Sequence, residues 1–240
     1  MDNDALFQIT NCNPLNNPQE EVYDAFNKFM FSNDVKLIGK LLHRFKFFEL
    51  VRHLPGDIVE IGVFKGSGVA TFSKFIDIFC SKSNKKVIGF DIFDTDSASD
   101  ILNKDGAFDK RQMEVVYSKV DKNELTYESV SSRLSNMNSN TNYMLVKGDV
   151  EVTIPKFLKE KPGFRISLIY IDVDLERPTY IALKYLWDRL LPGGVILFDE
   201  YEYHSFSESN GVDLFLKEMN LPYTLKSTDF IAPTAFMIKK

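Results

Sequence analysis

Asp57-Ile-Val-Glu60-Ile-Gly62-Val-Phe-Lys-Gly66-Ser-Gly68 is an apolar run that closes on a glycine-rich turn, and the stretch after it, from about Gly68 to Cys80, reads as a helix. Strand, glycine turn and helix in that order make a ligand-binding layout. Glycine lets the backbone come close to a ligand, and the helix start leaves N–H groups without partners. The step repeats along the chain. Strands are expected at 57–62, 86–91, 143–147 and 166–172, and a fifth follows the turn Leu191-Pro-Gly-Gly194. Helices are expected near 152–161, 178–190 and 212–219, and two short strands near 223–227 and 234–239. Five β-α steps and a closing strand pair predict a mostly parallel, doubly wound α/β sheet of seven strands, with helices on both faces and an antiparallel terminal hairpin.

Upstream, residues 1–18 form an Asn/Pro-rich arm, and 19–53 read as helical. Val22, Phe26 and Phe29 make one apolar stripe; Leu37, Leu41, Leu42, Phe45 and Phe48 make another. Ser32-Asn-Asp34 breaks and caps between them. These stripes predict core or a homodimer surface, so the chain divides into 1–53, an arm with helices serving as lid or dimer contact, and a main domain, 54–240. Between 93 and 142 the reading is a loop at 94–109, helices near 110–117 and 127–137, and a turn cluster at 136–142.

With 240 residues, 44% hydrophobic, the chain can bury one large core. Its formal charge of −5 speaks against a nucleic-acid partner, which a basic face would attract. Apolar runs such as Val195 to Phe198 are too short for membrane insertion, and the polar start Met1-Asp-Asn-Asp shows no secretory signal. Cys12 and Cys80 fit no metal-ligand spacing and are read as reduced thiols of a cytoplasmic protein.

The glycine spacing carries chemistry. The dinucleotide fingerprint is G-x-G-x-x-G; here it is G-x-x-x-G-x-G, with Glu60 two residues before the first glycine. That matches the Asp/Glu-x-Gly-x-x-x-Gly pattern of class I S-adenosylmethionine-dependent methyltransferases. Glu60, Gly62, Gly66 and Ser67 are therefore the expected cofactor contacts, unless the turn merely needs small residues. Asp91, at the tip of the second strand, suits a ribose diol. Asp149, after the third strand, would reach the adenine edge or the pocket rim.

Two further strands end in acids: Ser167-Leu-Ile-Tyr-Ile-Asp172-Val-Asp174, and Gly193-Gly-Val-Ile-Leu-Phe-Asp199-Glu200. Carboxylates this close repel unless a proton, a metal or a cationic ligand compensates. Oxygen donors of this kind suit a hard divalent cation, Mg²⁺ above all; the plainer alternative is that they cap helices or bind water. His204, four residues past Glu200, is a candidate base or a solvent-facing loop residue. His43 and His53 are expected to pack or face solvent.

Taken together, the chain resembles the macrocin O-methyltransferase family, class I methyltransferases with a Rossmann-like fold that act on sugar hydroxyls. The resemblance runs over most of 40–220 and rests on Gly56 to Gly66, Gly89-Phe-Asp91-Ile-Phe93, Val146-Lys-Gly148, Asp172-Val-Asp174-Leu, Gly193 to Tyr201 and Asn210-Gly-Val-Asp-Leu-Phe215. It implies that Asp172, Asp199 and Glu200 bind Mg²⁺, that Asp172 also borders the cofactor, that Asp174 is the base, and that the acceptor is a small sugar-containing molecule. The chain departs from the family twice. Asp199-Glu200-Tyr201 stands for Asp-Asp-Tyr, and Leu175-Glu176-Arg177 for Leu-Tyr-Glu. Two rival readings are a catechol- or caffeoyl-CoA-like O-methyltransferase acting on a phenolic diol, and a protein that binds S-adenosylmethionine without catalysis.

Overall fold

The computed structural model describes residues 19–94, 102–220 and 224–240. The chain divides into two compact units, Met1–Ile38 and Gly39–Lys240. α1 (Gln19–Met30) exposes Val22, Tyr23 and Phe26. The expected break follows it. Asp34 Oδ1 accepts the N–H groups of Lys36 and Leu37 at 2.8 and 3.1 Å, capping α2 (Val35–Val51).

In the larger unit the order is β1 (Asp57–Ile61), α3 (Ser67–Phe79), β2 (Val87–Asp91), α4 (Ala107–Tyr117), α5 (Tyr127–Asn136), β3 (Tyr143–Lys147), α6 (Val150–Glu160), β4 (Ile166–Ile171), α7 (Glu176–Leu186), β5 (Leu190–Phe198), α8 (Glu208–Glu218), β6 (Lys226–Ser227) and β7 (Ala235–Ile238). Together the strands form a 7-stranded sheet in the order β3-β2-β1-β4-β5-β7-β6. The first five are parallel; β7 runs antiparallel to β5, and β6 to β7. This is the doubly wound sheet with an antiparallel terminal hairpin that the sequence predicts.

Boundaries differ where side chains, not periodicity, set them. α8 starts at Glu208, four residues before the expected Val212, with Glu208 itself buried. α4 starts at Ala107, inside the expected loop, after Gly106 at a φ of 92°. The rest of that loop, 95–101, lies outside the described residues, as do the arm 1–18 with Cys12, and Tyr223. Cys80 is a free thiol. Among the described residues no helix is long and apolar enough to cross a membrane.

Side chains alternate across a strand, so each strand feeds two cores. Val59, Ile61, Ile169, Ile171, Ile196 and Phe198 pack with α6, α7 and α8. Ile58, Leu168, Tyr170, Val195 and Leu197 pack on the other face, with α3 and with Phe47, Phe48 and Val51 of α2. That parity decides the site. Glu60, Asp172 and Asp199 continue the second set.

Candidate active site

The register brings the acids together. Glu60 pairs with Tyr170 across β1–β4, and Ile171 with Phe198 across β4–β5. The next residues, Asp172 and Asp199, leave adjacent strands side by side, and the Asp199 N–H donates to the Ile171 carbonyl at 3.0 Å. Both carboxylates then meet one cation. Lys40 Nζ, from α2, donates to Asp172 Oδ2 and to Asp199 Oδ2, at 2.8 Å each. The Tyr170 hydroxyl donates to the other Asp199 oxygen. The Arg44 guanidinium lies 4.7 Å from the centre of the Tyr170 ring, 3.4 Å from Glu60 Oε1 and 3.9 Å from Asp172 Oδ2.

Electrostatics follow from this packing. Burial pushes the Lys40 ammonium down, but Asp172 and Asp199 outweigh it and hold it well above the ordinary lysine value. Burial also raises Asp172, yet Lys40 and Arg44 bring it below the usual carboxylate range. Asp199 stays above that range because burial and the Asp172 charge exceed the help of Lys40 and Tyr170. Glu60 is pushed up to about 8 by burial, against the pull of Arg44. It fills space that only glycine leaves open: a Cβ on Gly68 would lie 1.6 Å from Glu60 Oε1. Gly62, at a φ of 88°, has the same function toward β4, for its Cβ would lie 1.9 Å from the Asp172 carbonyl oxygen.

Asp91 organises the glycine turn. Its Oδ2 accepts the N–H groups of Val63 and Phe64 at 2.7 and 2.9 Å, and its Oδ1 accepts Phe93 N–H at 2.8 Å. Gly66 begins α3 with no side-chain cap and Ser67 after it is exposed, so this helix start can meet a ligand. This turn fits S-adenosylmethionine. Asp149 caps α6 by accepting Glu151 N–H at 3.0 Å and pairs with Lys104 at 3.1 Å and Arg177 at 3.4 Å. Burial raises it, but these partners together bring it below its ordinary value.

The remaining acids part ways. Glu200, next to Asp199, is buried, and its N–H donates to buried Glu208 at 3.0 Å. Glu208 titrates well above the carboxylate range because of burial and then the charge of Asp199. Asp174 sits at a φ of 65°, half-buried, its carbonyl accepting Ser207 N–H at 3.0 Å. Burial first, then the charges of Asp91 and Asp174, raise the Tyr117 hydroxyl of α4 above its ordinary value. His204 is exposed in a cleft of about 750 Å³ with Phe108, Tyr203 and Asn210. His43 stacks on Phe230 and His53 accepts from Arg52 Nε, so neither joins the site.

The expected metal set does not assemble. Among the described residues no three of His, Cys, Asp and Glu stand together as ligands. Asp172 and Asp199 do converge, but on an ammonium. A divalent ion there would compete with Lys40 for the same two oxygens and be repelled by it and by Arg44. As arranged, these residues do not fit Mg²⁺. Sequence reading missed Lys40, Arg44, Tyr170 and Glu208. The signal for the first two was a cation pair at i and i+4 continuing through Phe47 and Val51, a line that a helix presents on one face. Of the expected stripe, Phe48 lies in the core with Phe45 packed against it, while Leu37, Leu41 and Leu42 are exposed.

Known proteins share this architecture. A family model described as macrocin-O-methyltransferase (TylF) matches residues 48–236. The chain belongs to the macrocin-O-methyltransferase family. It is an S-adenosylmethionine-dependent O-methyltransferase, as that family is. Among solved structures, CalS11, a TDP-rhamnose 3'-O-methyltransferase of calicheamicin biosynthesis, is 22% identical with a TM-score of 0.65, the match covering 98% of this chain and 91% of that one. The O-methyltransferase NovP is 18% identical with a TM-score of 0.66 over 84% and 79%. An O-methyltransferase from Bacillus cereus in complex with SAH is 14% identical with a TM-score of 0.52 over 98% and 96%. At these identities the likeness is one of fold. A search of the curated proteins finds no match. Within this macrocin-O-methyltransferase chain, Lys40 and Arg44 precede the matched stretch.

Proposed function

We propose that this chain methylates a hydroxyl of a sugar in a small molecule, such as a nucleotide sugar, a glycosylated natural product or a glycan precursor. The carrying observation is the pairing of Asp172 and Asp199 on one rim, with Asp174 two residues on in the chain, in a member of the macrocin-O-methyltransferase family. The likeness to CalS11, a TDP-rhamnose 3'-O-methyltransferase, and membership of the macrocin-O-methyltransferase family support a sugar acceptor over a catechol.

Gly62, Gly66 and Ser67 would hold S-adenosylmethionine at the turn, with Asp91 shaping it and Glu60 and Asp172 behind. When bound, the cofactor supplies an electrophilic methyl group on a sulfonium. With that group bound, Asp174 would take the proton of the acceptor hydroxyl as it is methylated. Holding the acceptor in line supplies much of the rate. His204, in its open cleft, is the second candidate base. Mg²⁺ has no part in this scheme, because Asp172 and Asp199 already hold the Lys40 ammonium. A homodimer is supported by the exposed apolar side chains of α1.

The test is methyl transfer from labelled S-adenosylmethionine to a panel of nucleotide sugars, glycosides and catechols. Turnover confined to sugars supports the reading, and preferred turnover of catechols would refute it.

A further inference from the structure

Two carboxylates at the C-terminal rim, Asp172 and Asp199, face one point, and Lys40 Nζ stands on it, 2.8 Å from each. The ammonium is not a surface ion sharing a loose pair. The Lys40 side chain is 18% exposed and that of Asp199 is 1%. The helix that carries it is fixed by Phe47, Phe48 and Val51 in the sheet core, and Arg44, one turn on, adds a second cation against Glu60 and Asp172. The Tyr170 hydroxyl takes the remaining Asp199 oxygen.

An ammonium has three N–H donors. Two are given to Asp172 and Asp199, so one remains for an acceptor oxygen on the partly open side. That is what a Lewis-acidic ion would otherwise do, namely neutralise the paired carboxylates and hold an acceptor oxygen whose negative charge grows as its proton leaves.

We infer that Lys40 is a built-in cation at the position where this fold would seat a divalent ion, that its third N–H holds the acceptor hydroxyl, and that methyl transfer by this chain needs no divalent metal. The acceptor contact rests on the function proposed above; the cation assignment does not. Bond changes are unaltered: oxygen gains the methyl, sulfur keeps the electron pair, and Asp174 takes the proton.

The test is a titration of the full-length protein with Mn²⁺, followed by electron paramagnetic resonance, for wild type, Lys40→Ala and Lys40→Met. It needs no acceptor, so it decides the cation assignment even if the sugar reading fails. The expected result is no stoichiometric Mn²⁺ bound by wild type and one equivalent bound by Lys40→Ala, whose shortened side chain opens the position. Wild type binding Mn²⁺ as tightly as Lys40→Ala would overturn the inference, as would an Lys40→Ala protein that is folded by circular dichroism yet binds none. Wild type alone keeps the test decisive should the variants not fold. With an acceptor in hand, chelator should leave wild-type turnover intact, while Lys40→Met should lose roughly 10²-fold in kcat. Loss of wild-type turnover in chelator with recovery on adding Mg²⁺ would overturn it equally.

Discussion

Two lysines are drawn into the larger unit at opposite ends of the same strands, and their surroundings differ. Lys40 lies at the C-terminal rim between two carboxylates. Lys85 lies at the other end, where Nζ donates to the carbonyls of Leu54 and Gly56 at 3.0 and 2.6 Å and to Ser167 Oγ at 2.7 Å. Both lose water, and burial is the first influence on each. At Lys40 the anions reverse it. Lys85 hydrogen-bonds only neutral oxygens, and the more distant pull of Asp57 does not reverse burial, so the ammonium is pushed down to about 8. A buried cation among neutral dipoles ties strand ends together. The same cation between charges belongs to a rim where the pattern of acids already points to chemistry.

The largest effect should come from Asp174, the rim acid proposed as the base. Asp174→Asn should reduce kcat by about 10²- to 10⁴-fold and leave S-adenosylhomocysteine affinity, read by calorimetry, close to wild type. Turnover equal to wild type would transfer the base to another group, His204 first.

The next contrast breaks the lysine comparison directly. Lys40→Met should be catalytically poor, whereas Lys85→Met, distant from the rim, should keep wild-type kcat and change only stability. A loss of kcat in the Lys85 variant that matches the Lys40 variant would erase the distinction.

Smaller effects appear in pH dependence. Glu60 titrates at about 8 in the folded chain against an ordinary 4.5. A raised value means that its contribution is complete below pH 4.5 and is lost as pH rises toward 8. Glu60→Gln should therefore flatten the fall of Tm between those values, measured by calorimetry. The smallest signal belongs to Lys85. Its folded value, about 8, lies below the ordinary 10.5, so burying its charge costs stability that is regained as pH rises from about 8 to 10.5. The Tm of wild type should gain on that of Lys85→Met across this window.

Much of this was legible before any coordinates. The glycine turn, the apolar runs closing on acids and the terminal strand pair predict the sheet, because strand burial and turn chemistry are written locally. Asp172 and Asp199 could be read as neighbours, since each ends a buried parallel strand. Glu200 follows Asp199 in sequence, but its tie to Glu208 is made by tertiary packing. The Leu175-Glu176-Arg177 departure proved to be a clasp: Arg177 ties the base of α7 to Asp105, Asp149 and Glu151. Its partners lie 26 to 72 residues away, beyond any local pattern.

The sequence by itself determined the strand–helix alternation, the family, the cofactor turn and the two acid-tipped strands, all of which depend on contacts within a few residues. Tertiary structure alone decided what neutralises those acids. Lys40 is 132 residues from Asp172 and 159 from Asp199, so only the packing of α2 on the sheet could show that the compensating charge is carried by the chain itself.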